Sequence, residues 1–203
     1  MRTSNLVRDG NGWETKSSET HFASAHLEVV ADTVQTPTRS APREWTTVHR
    51  KAAAIVAPMT ADGRFLLVRQ ERVPIRATIW EMPGGQIDEN REPDENKIRE
   101  TALRELHEET GYELVPDGEL VPLGYYFSSP GFTDEHGYFF LARHVEPSVE
   151  HKREEGEGIL ECRAFSAAEL RRMIAENEIR DANTLSMCAR LAAHGLLSLN
   201  PQG

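Results

Sequence analysis

The chain has 203 residues, of which 38% are hydrophobic and 28% are charged, and its formal net charge is −10. This length and composition predict one globular domain with a packed core and room for a small additional lobe, and there is no apolar run long enough to span a membrane. The acidic balance argues against a general nucleic-acid binder, which needs a basic face, but it permits a small phosphorylated ligand because a bound cation offsets local repulsion.

Few features of the sequence indicate the cellular compartment of the protein. The two cysteines, Cys162 and Cys188, are too few for a disulfide framework, so we interpret them as reduced, buried thiols of a cytoplasmic protein. Residues 1–12 are polar and lack the apolar core of a secretory signal. We expect this first segment to be flexible.

The N-terminal part, residues 1–50, predicts an antiparallel β lobe. Residues 25–34 are rich in β-branched side chains with partial alternation, Pro37 interrupts this pattern, and residues 44–50 indicate a second strand. The lobe also carries three histidines without metal-ligand spacing, which we interpret as ordinary strand residues: His21, His26 and His49.

The main domain is predicted to span residues 51–200 and to mix strands with helices. Its predicted strands are 52–58, 65–70, 79–83, 123–128 and 138–145, with a hairpin turn at 61–63, a glycine turn at 84–85 and a loop through 116–118. Its predicted helices begin near Asp94, at Ala167 after the N-cap Ser166, and at Ala182, and Gly111 and Gly195 end the first and the last. This order of elements indicates an α/β (α+β) sandwich.

The end of the first helix carries three carboxylates. Glu105 and Glu109 are i,i+4 neighbours, and with Glu108 they fall within an arc of about 100°. Like charges at this density repel one another unless a cation neutralises them, and hard oxygen ligands suit Mg²⁺ or Mn²⁺. The ordinary alternative is a solvated acidic helix face.

The residues around these carboxylates resemble a known family. Residues 104–112, Arg-Glu-Leu-His-Glu-Glu-Thr-Gly-Tyr, resemble the second half of the Nudix box, and residues 83–85, Pro-Gly-Gly, resemble its opening. Gly85 lies five residues too early for the family spacing, so the loop 86–96 carries an insertion, and Glu92 or Glu95 is left to serve as the box's supporting glutamate. The resemblance implies an α/β/α sandwich with a mixed sheet over about residues 52–197.

Further motifs are similar to the ADP-ribose pyrophosphatase branch of that family. They are Gln70-Glu71-Arg72 followed by Glu81-Met82-Pro83-Gly84, and Ser129-Pro130-Gly131 with a downstream glutamate. The N-terminal lobe is also similar to that branch, where it swaps between the subunits of a homodimer. A homodimer is therefore what the resemblance implies.

The resemblance also implies roles for the acidic residues. Glu105 and Glu109 would be the main metal ligands, Glu108 would complete the site, and the carbonyl of Gly84 could reach the metal because glycine permits close backbone approach. Arg104 would pair with a carboxylate, unless it is a solvated surface arginine. The first candidate for the general base is Glu135 and the second is Glu157, whose alternative is a surface loop charge.

Four residues are candidates for substrate binding. Trp45 would stack on the nucleobase or pack in a dimer interface. Arg50 and Arg72 would clamp phosphates or form structural salt bridges. Glu81 would bind a sugar hydroxyl or cap the turn.

Together these features predict a Mg²⁺-dependent pyrophosphohydrolase acting on a small nucleotide, with neither nucleic-acid nor membrane partners. The leading substrate is ADP-ribose, giving AMP and ribose 5-phosphate; GDP-mannose or another nucleotide-sugar is second, and oxidised nucleoside triphosphates rank lower. A Nudix domain that senses a nucleotide without hydrolysing it is the alternative from another class. The insertion after Gly85 favours it, whereas the intact glutamates and the absence of a basic helix-turn-helix oppose it.

Overall fold

The computed structural model describes residues 6–88, 93–149 and 158–199. The strands in these ranges are β1 (Glu14–Ala23), β2 (Leu27–Gln35), β3 (Arg43–Arg50), β4 (Ala53–Thr60), β5 (Phe65–Arg72), β6 (Ala77–Glu81), β7 (Gly84–Gln86), β8 (Tyr112–Phe127), β9 (His136–Pro147) and β10 (Ile159–Phe165). The helices are α1 (Glu95–Glu105), α2 (Ala167–Ala175) and α3 (Ala182–Ala193). A single 3₁₀ turn, Val73–Ile75, follows β5, and a π-helical segment, Leu106–Thr110, continues α1.

A seven-stranded mixed sheet forms the centre of the main domain. Its order is β10-β5-β4-β9-β8, with β6 also paired to β5 and β7 to β4. The strands β4 and β9 are parallel, whereas the other pairs are antiparallel. Only Met59 and Phe65 pair between β4 and β5, so the two strands diverge beyond their turn. Beyond that point β4 pairs with β7, which brings Gly84 and Gly85 to the centre of the sheet.

Alternation along the strands divides the core into two layers, because successive side chains of a strand point to opposite faces. On one face Ile55, Leu67 and Phe139 pack with α2 and α3; on the other Val56 and Phe140 pack with α1. Helices therefore cover both faces of a mixed sheet. This confirms the predicted α/β/α sandwich.

Polar side chains cap the three helices at their first residues. Asp94 accepts a hydrogen bond from Lys97 N at 2.8 Å, and Asp181 accepts one from Thr184 N at 2.7 Å. Ser166 and Glu169 form a reciprocal capping box. Gly111, at φ 75°, ends the first helical region in the left-handed conformation that glycine accepts.

The N-terminal strands form a separate three-stranded antiparallel sheet in the order β1-β2-β3. This confirms the predicted β lobe, although β1 was not predicted because its sequence is polar and lacks alternating apolar residues. Almost all of β1 is exposed, and the buried side chains of the lobe are those of Val30, Asp32 and His49.

The predicted strands and loops of the main domain are wrong at two places. The loop predicted at 116–118 lies inside β8, where the pairing shifts between Leu114 and Glu119 so that the extra residues bulge out of the ladder. Gly84 and Gly85 belong to a short strand rather than a turn.

Both cysteines are free. Cys188 is buried, and burial raises the pKa of its thiol to about 11, whereas Cys162 is only partly buried, contrary to the expectation for that residue. No helix in the described part of the chain is long and apolar enough to cross a membrane.

Candidate active site

Two glycines bring the backbone of β7 into contact with its neighbours. A Cβ atom on Gly84 would lie 2.5 Å from the carbonyl oxygen of Ala54, and a Cβ atom on Gly85 would lie 2.3 Å from Oε1 of Glu105. Gly84 N also donates a hydrogen bond to Oε2 of Glu109 at 2.8 Å. The glycine pair is therefore packed directly against two of the predicted metal ligands.

The three glutamates lie where α1 passes into the π-helical segment. Glu105 and Glu109 are 5% and 4% exposed, while Glu108 is partly exposed. Thr110 Oγ1 donates to the carbonyl of Leu106, which supports the wider turn. The regular i,i+4 geometry expected for Glu105 and Glu109 is therefore not kept, because α-helical spacing ends at Glu105.

Arg104 holds two of these carboxylates together. It donates hydrogen bonds to Glu105 and to Glu108. Although partial burial acts against its charge, the two carboxylates raise the pKa of Arg104. Arg104 therefore pairs with two carboxylates, as predicted, and is not simply a solvated surface arginine.

An open cleft of about 350 Å³ lies over this region. Its lining residues are His26, Gln70, Arg72, Gly84, Gly85, Gln86, Asp88, Arg104, Glu105 and Glu109. Of the predicted site residues, the cleft brings together Arg72, Gly84, Glu105 and Glu109. The others in the described ranges lie outside its lining: Trp45, Arg50, Glu81, Glu108 and Glu135.

Of three further predicted residues, the structure describes only Glu95. Glu157 lies outside the described residues, as does Glu92 in the inserted loop. Glu95 occupies the first position of α1 and is exposed. A supporting contact from Glu95 to the glycine pair is therefore not seen.

Arg72 and Glu81 pair with each other. Arg72 Nε donates to Oε1 of Glu81 at 2.8 Å, and Arg72 Nη2 donates to the second oxygen. This hydrogen bonding raises the pKa of Arg72, and the nearby carboxylates of Glu109 and Asp181 raise it further. Glu81 is buried, whereas Arg72 remains 43% exposed at the cleft. Arg72 therefore offers a charged edge to a ligand while Glu81 fixes its orientation.

A second ion pair joins the N-terminal lobe to the loop after β8. Arg50 Nη1 lies 2.5 Å from Oε1 of Glu135, and Ser128 Oγ donates to Oε2 of Glu135 at 2.8 Å. Both carboxylate oxygens of the first-choice base are thus occupied. Burial raises the pKa of the nearby Tyr126 hydroxyl, and the charges of Glu135 and Asp181 raise it further.

Trp45 lies on the exposed part of β3 and is 51% exposed. Its Nε1 lies 3.4 Å from the carbonyl oxygen of Gly131, in the Ser-Pro-Gly loop. Its ring is available for stacking or for packing against another chain. Both alternatives for Trp45 therefore stay predictions.

His26 is a cleft residue that sequence reasoning missed. It was interpreted as a strand residue, but it lies in the β1–β2 turn, where its N–H and that of Leu27 donate to Ser24 Oγ. The register pairs Leu27 with Arg50, so the turn lies beside the start of the main domain. No motif in the sequence signals this placement, because it depends on how the lobe packs.

The carboxylate oxygens of Glu105, Glu108 and Glu109 are ligands of the kind that a hard divalent cation prefers. The two buried carboxylates, Glu105 and Glu109, contact the close-packed glycine backbone, and the partly exposed Glu108 is joined to Glu105 through Arg104. Oxygen donors of this type suit Mg²⁺. In the described part of the chain, no three His, Cys, Asp or Glu side chains converge into a formed metal cluster. Instead, Glu105 accepts from Arg104 and Glu109 accepts from Gly84 N.

Comparison with known proteins identifies the class. A family model described as NUDIX domain matches residues 48–187, which is more than half of the chain. The chain therefore belongs to the NUDIX family. The predicted class of enzyme, a Nudix pyrophosphohydrolase, is confirmed at this level.

Two relatives and one solved structure are similar to most of the chain. The chain is 29% identical to an ADP-ribose pyrophosphatase of Bacillus subtilis over 171 residues, covering 84% of this chain and 88% of that protein. It is 34% identical to a GDP-mannose pyrophosphatase of Klebsiella pneumoniae over 145 residues, covering 66% and 67%. The solved structure of an ADP compounds hydrolase superposes with a TM-score of 0.72 at 18% identity, covering 94% of this chain and all of that one. This last likeness confirms the fold.

Proposed function

We propose that this protein hydrolyses the diphosphate bond of a nucleoside diphosphate linked to another moiety, with ADP-ribose as the substrate and AMP and ribose 5-phosphate as products. The observation that carries the proposal is the packing of buried Glu105 and Glu109 against the glycine pair, in an open cleft that Arg72 also lines. A structural acidic helix face would be solvated, whereas these two carboxylates are buried beside a cavity.

The proposed cofactor is Mg²⁺, with Mn²⁺ as a substitute, held by Glu105, Glu109 and Glu108 with the Gly84 carbonyl. Such an ion neutralises charge on the diphosphate and activates a water. The chain's own residues would complete the site. Arg104 holds Glu105 and Glu108 in place, and Arg72, fixed by Glu81, binds a phosphate oxygen.

We propose Glu135 as the general base, with Glu157 as the alternative. Because both oxygens of Glu135 are bonded, one of them must be released before it accepts a proton from water. If Arg50 moved to bind the substrate's phosphate, it would release Oε1 of Glu135. The same movement would then place the phosphate ligand and free the base.

ADP-ribose is placed ahead of GDP-mannose because the Bacillus relative aligns over 84% of this chain, whereas the Klebsiella relative aligns over 66%. The Ser-Pro-Gly loop, moreover, contacts Trp45 of the N-terminal lobe. We therefore propose that Trp45 stacks on the nucleobase. A nucleotide-sugar stays the second candidate substrate.

We also propose a cytoplasmic homodimer, formed through the N-terminal lobe. Trp13 and Phe22 are each more than half exposed on or beside this lobe, and exposed aromatic side chains of this size are typical of protein interfaces. Light scattering at several protein concentrations tests this: a monomer mass throughout would refute the dimer.

The deciding experiment is phosphatase-coupled turnover with Mg²⁺ across ADP-ribose, GDP-mannose, UDP-glucose, NADH, a diadenosine polyphosphate and a deoxynucleoside triphosphate. We expect ADP-ribose to give the highest kcat/KM. Preference for GDP-mannose would support the second candidate. Nucleotide binding without turnover of any member would instead support a sensing domain and turn attention to the insertion after Gly85.

A further inference from the structure

His49 is a buried polar residue that the proposed chemistry does not use. It lies near the end of β3 and is 4% exposed. Its Nδ1 atom lies 2.7 Å from Oδ2 of Asp134, and its Nε2 atom lies 3.8 Å from Oδ2 of Asp32. The imidazole thus stands between a carboxylate of its own lobe and a carboxylate of the loop that carries Glu135.

The direction of the hydrogen bond follows from the other contacts of Asp134. Its Oδ1 atom accepts from Arg50 N at 3.2 Å, and a carboxylate has no proton to donate, so its Oδ2 atom is also an acceptor. Nδ1 of His49 is then the donor. Nε2 is buried and makes no hydrogen bond, so the bond to Asp134 is the one that orients the ring.

The pair formed by His49 and Asp134 lies directly beside the pair formed by Arg50 and Glu135. Each residue of the first pair precedes its counterpart in the second along the chain. A shift of Asp134 relative to β3 would therefore also shift Glu135 relative to Arg50. The register of one pair fixes the geometry of the other.

The rest of the loop is attached to β3 by hydrogen bonds of the Thr133 hydroxyl, the backbone and the Trp45 indole. Thr133 Oγ1 donates to the carbonyl of Val48 at 2.6 Å, and Val48 N donates to the carbonyl of Phe132 at 2.8 Å. These bonds hold the loop against the strand, and Thr133 Oγ1 also accepts from Glu135 N at 3.1 Å, but none of them contacts the carboxyl group of Asp134. The contact between His49 and Asp134 is a buried side-chain bond next to Glu135.

We infer that His49 is a positioning residue, which through Asp134 holds the loop 128–135 in the register that keeps Glu135 beside Arg50. The inference deepens the proposed function and rests on it for its kinetic consequence. It assigns the N-terminal lobe a second task besides subunit contact, because His49 belongs to that lobe while Glu135 belongs to the main domain.

Two substitutions distinguish the contributions of the two imidazole nitrogens of His49. In His49→Asn the side-chain amide nitrogen takes the place of Nδ1 and can still donate to Asp134. In His49→Gln the amide nitrogen takes the place of Nε2 and points toward Asp32. We expect His49→Ala and His49→Gln to lower kcat by about 10- to 100-fold with a smaller change in KM, since misplacing a catalytic group by about 1 Å has effects of this size. His49→Asn should recover most of kcat.

Hydrogen–deuterium exchange gives a readout that does not depend on any substrate. The amides of Ser128, Phe132 and Thr133 are hydrogen-bonded within the loop, so we expect them to exchange faster in His49→Ala and at the native rate in His49→Asn. Ser18→Ala is the matched control, because Ser18 donates to Asp32 on the lobe side of His49. It should leave both kcat and loop exchange unchanged.

The outcomes separate this inference from the proposed function. Unchanged loop exchange in His49→Ala overturns the positioning role whether or not the wild type turns over any substrate. Equal kcat losses in His49→Asn and His49→Gln also overturn it, since they would indicate a general packing role. Faster loop exchange in His49→Ala than in the wild type, with a wild type that turns over none of the substrates, would support the positioning role and refute the proposed function alone.

Discussion

A Cβ atom on Gly85 would lie 2.3 Å from Oε1 of Glu105, so residue 85 can carry no side chain while Glu105 keeps its place in the cleft. The other nearby atoms are also those of the Glu105 carboxyl group. This carboxylate is the flexible end of a side chain. An added methyl group at residue 85 would therefore displace the carboxylate before it displaced the backbone.

The first prediction is that Gly85→Ala damages activity more than stability. We expect kcat/KM to fall by about 100-fold because a proposed metal ligand is moved, while the melting temperature changes little. Steady-state kinetics with Mg²⁺ and a thermal melt measure the two effects. Gly84→Ala is the contrast, because its Cβ would meet the backbone oxygen of Ala54 at 2.5 Å and should lower the melting temperature. Equal effects of the two variants would contradict this argument.

The second prediction concerns the metal assignment. Glu109→Gln should abolish measurable turnover and leave the fold intact, since the neutral amide oxygen still accepts from Gly84 N but no longer offers a charged ligand. Glu100→Gln is the matched control, because Glu100 lies exposed on α1, which the π-helical segment of Glu109 continues. Circular dichroism and a Mg²⁺ titration of turnover check both variants. Undiminished activity of Glu109→Gln would refute the role of this residue as a metal ligand.

Local signals in the sequence account for most of the fold. The alternating strands, the caps Asp94 and Ser166 and the stop at Gly111 are encoded by neighbouring residues, and short-range patterns of this kind are readable without a structure. The strand β1 was missed because a polar, exposed strand leaves no periodic signal. The domain boundary near residue 50 stays a prediction.

The pairing of the site residues could not be read from the sequence. Arg72 was interpreted as a phosphate ligand or a structural salt bridge, and Glu81 as a sugar ligand or a cap of the turn. The structure contains a salt bridge, formed between these two residues nine positions apart in the sequence. Arg50 and Glu135 lie far apart in the sequence but contact each other in the structure. Such contacts depend on tertiary packing and not on spacing, so the sequence identified the residue types but not their partners.

The third prediction tests the two roles of Arg72. Arg72→Ala would leave the buried carboxylate of Glu81 without its guanidinium, which should lower the free energy of unfolding by about 2 kcal/mol. It should also raise KM, because Arg72 lines the cleft. Arg72→Lys keeps the charge but loses the two-pronged contact, so its KM should lie between those of the wild type and Arg72→Ala. Urea unfolding and substrate titration measure the two quantities. A lowered stability with an unchanged KM would make the ion pair purely structural.

The fourth prediction concerns Trp45. Trp45→Ala should raise KM more than it lowers kcat, since stacking on a nucleobase contributes about 1–3 kcal/mol to binding. Trp45→Phe retains an aromatic face but lacks the contact to the Gly131 carbonyl, so it should recover most of the affinity. Kinetics and light scattering on the same samples separate the two alternatives. A change in mass without a change in KM would place Trp45 in a dimer interface.

The fifth prediction uses the two exposed histidines of the lobe as a matched pair. His26 lines the cleft, whereas His21 lies on exposed β1 and contacts only Glu19 among its charged neighbours in the described structure, at 3.9 Å. An imidazole at the edge of a diphosphate site can donate a hydrogen bond to a phosphate or sugar oxygen. We therefore expect His26→Ala to raise KM by about 3- to 10-fold, the loss of one hydrogen bond of about 1 kcal/mol. His21→Ala should leave KM unchanged. If the two variants behave alike, the packing of the lobe against the cleft does not bring His26 to the substrate, and the turn at Ser24 serves only to connect β1 with β2.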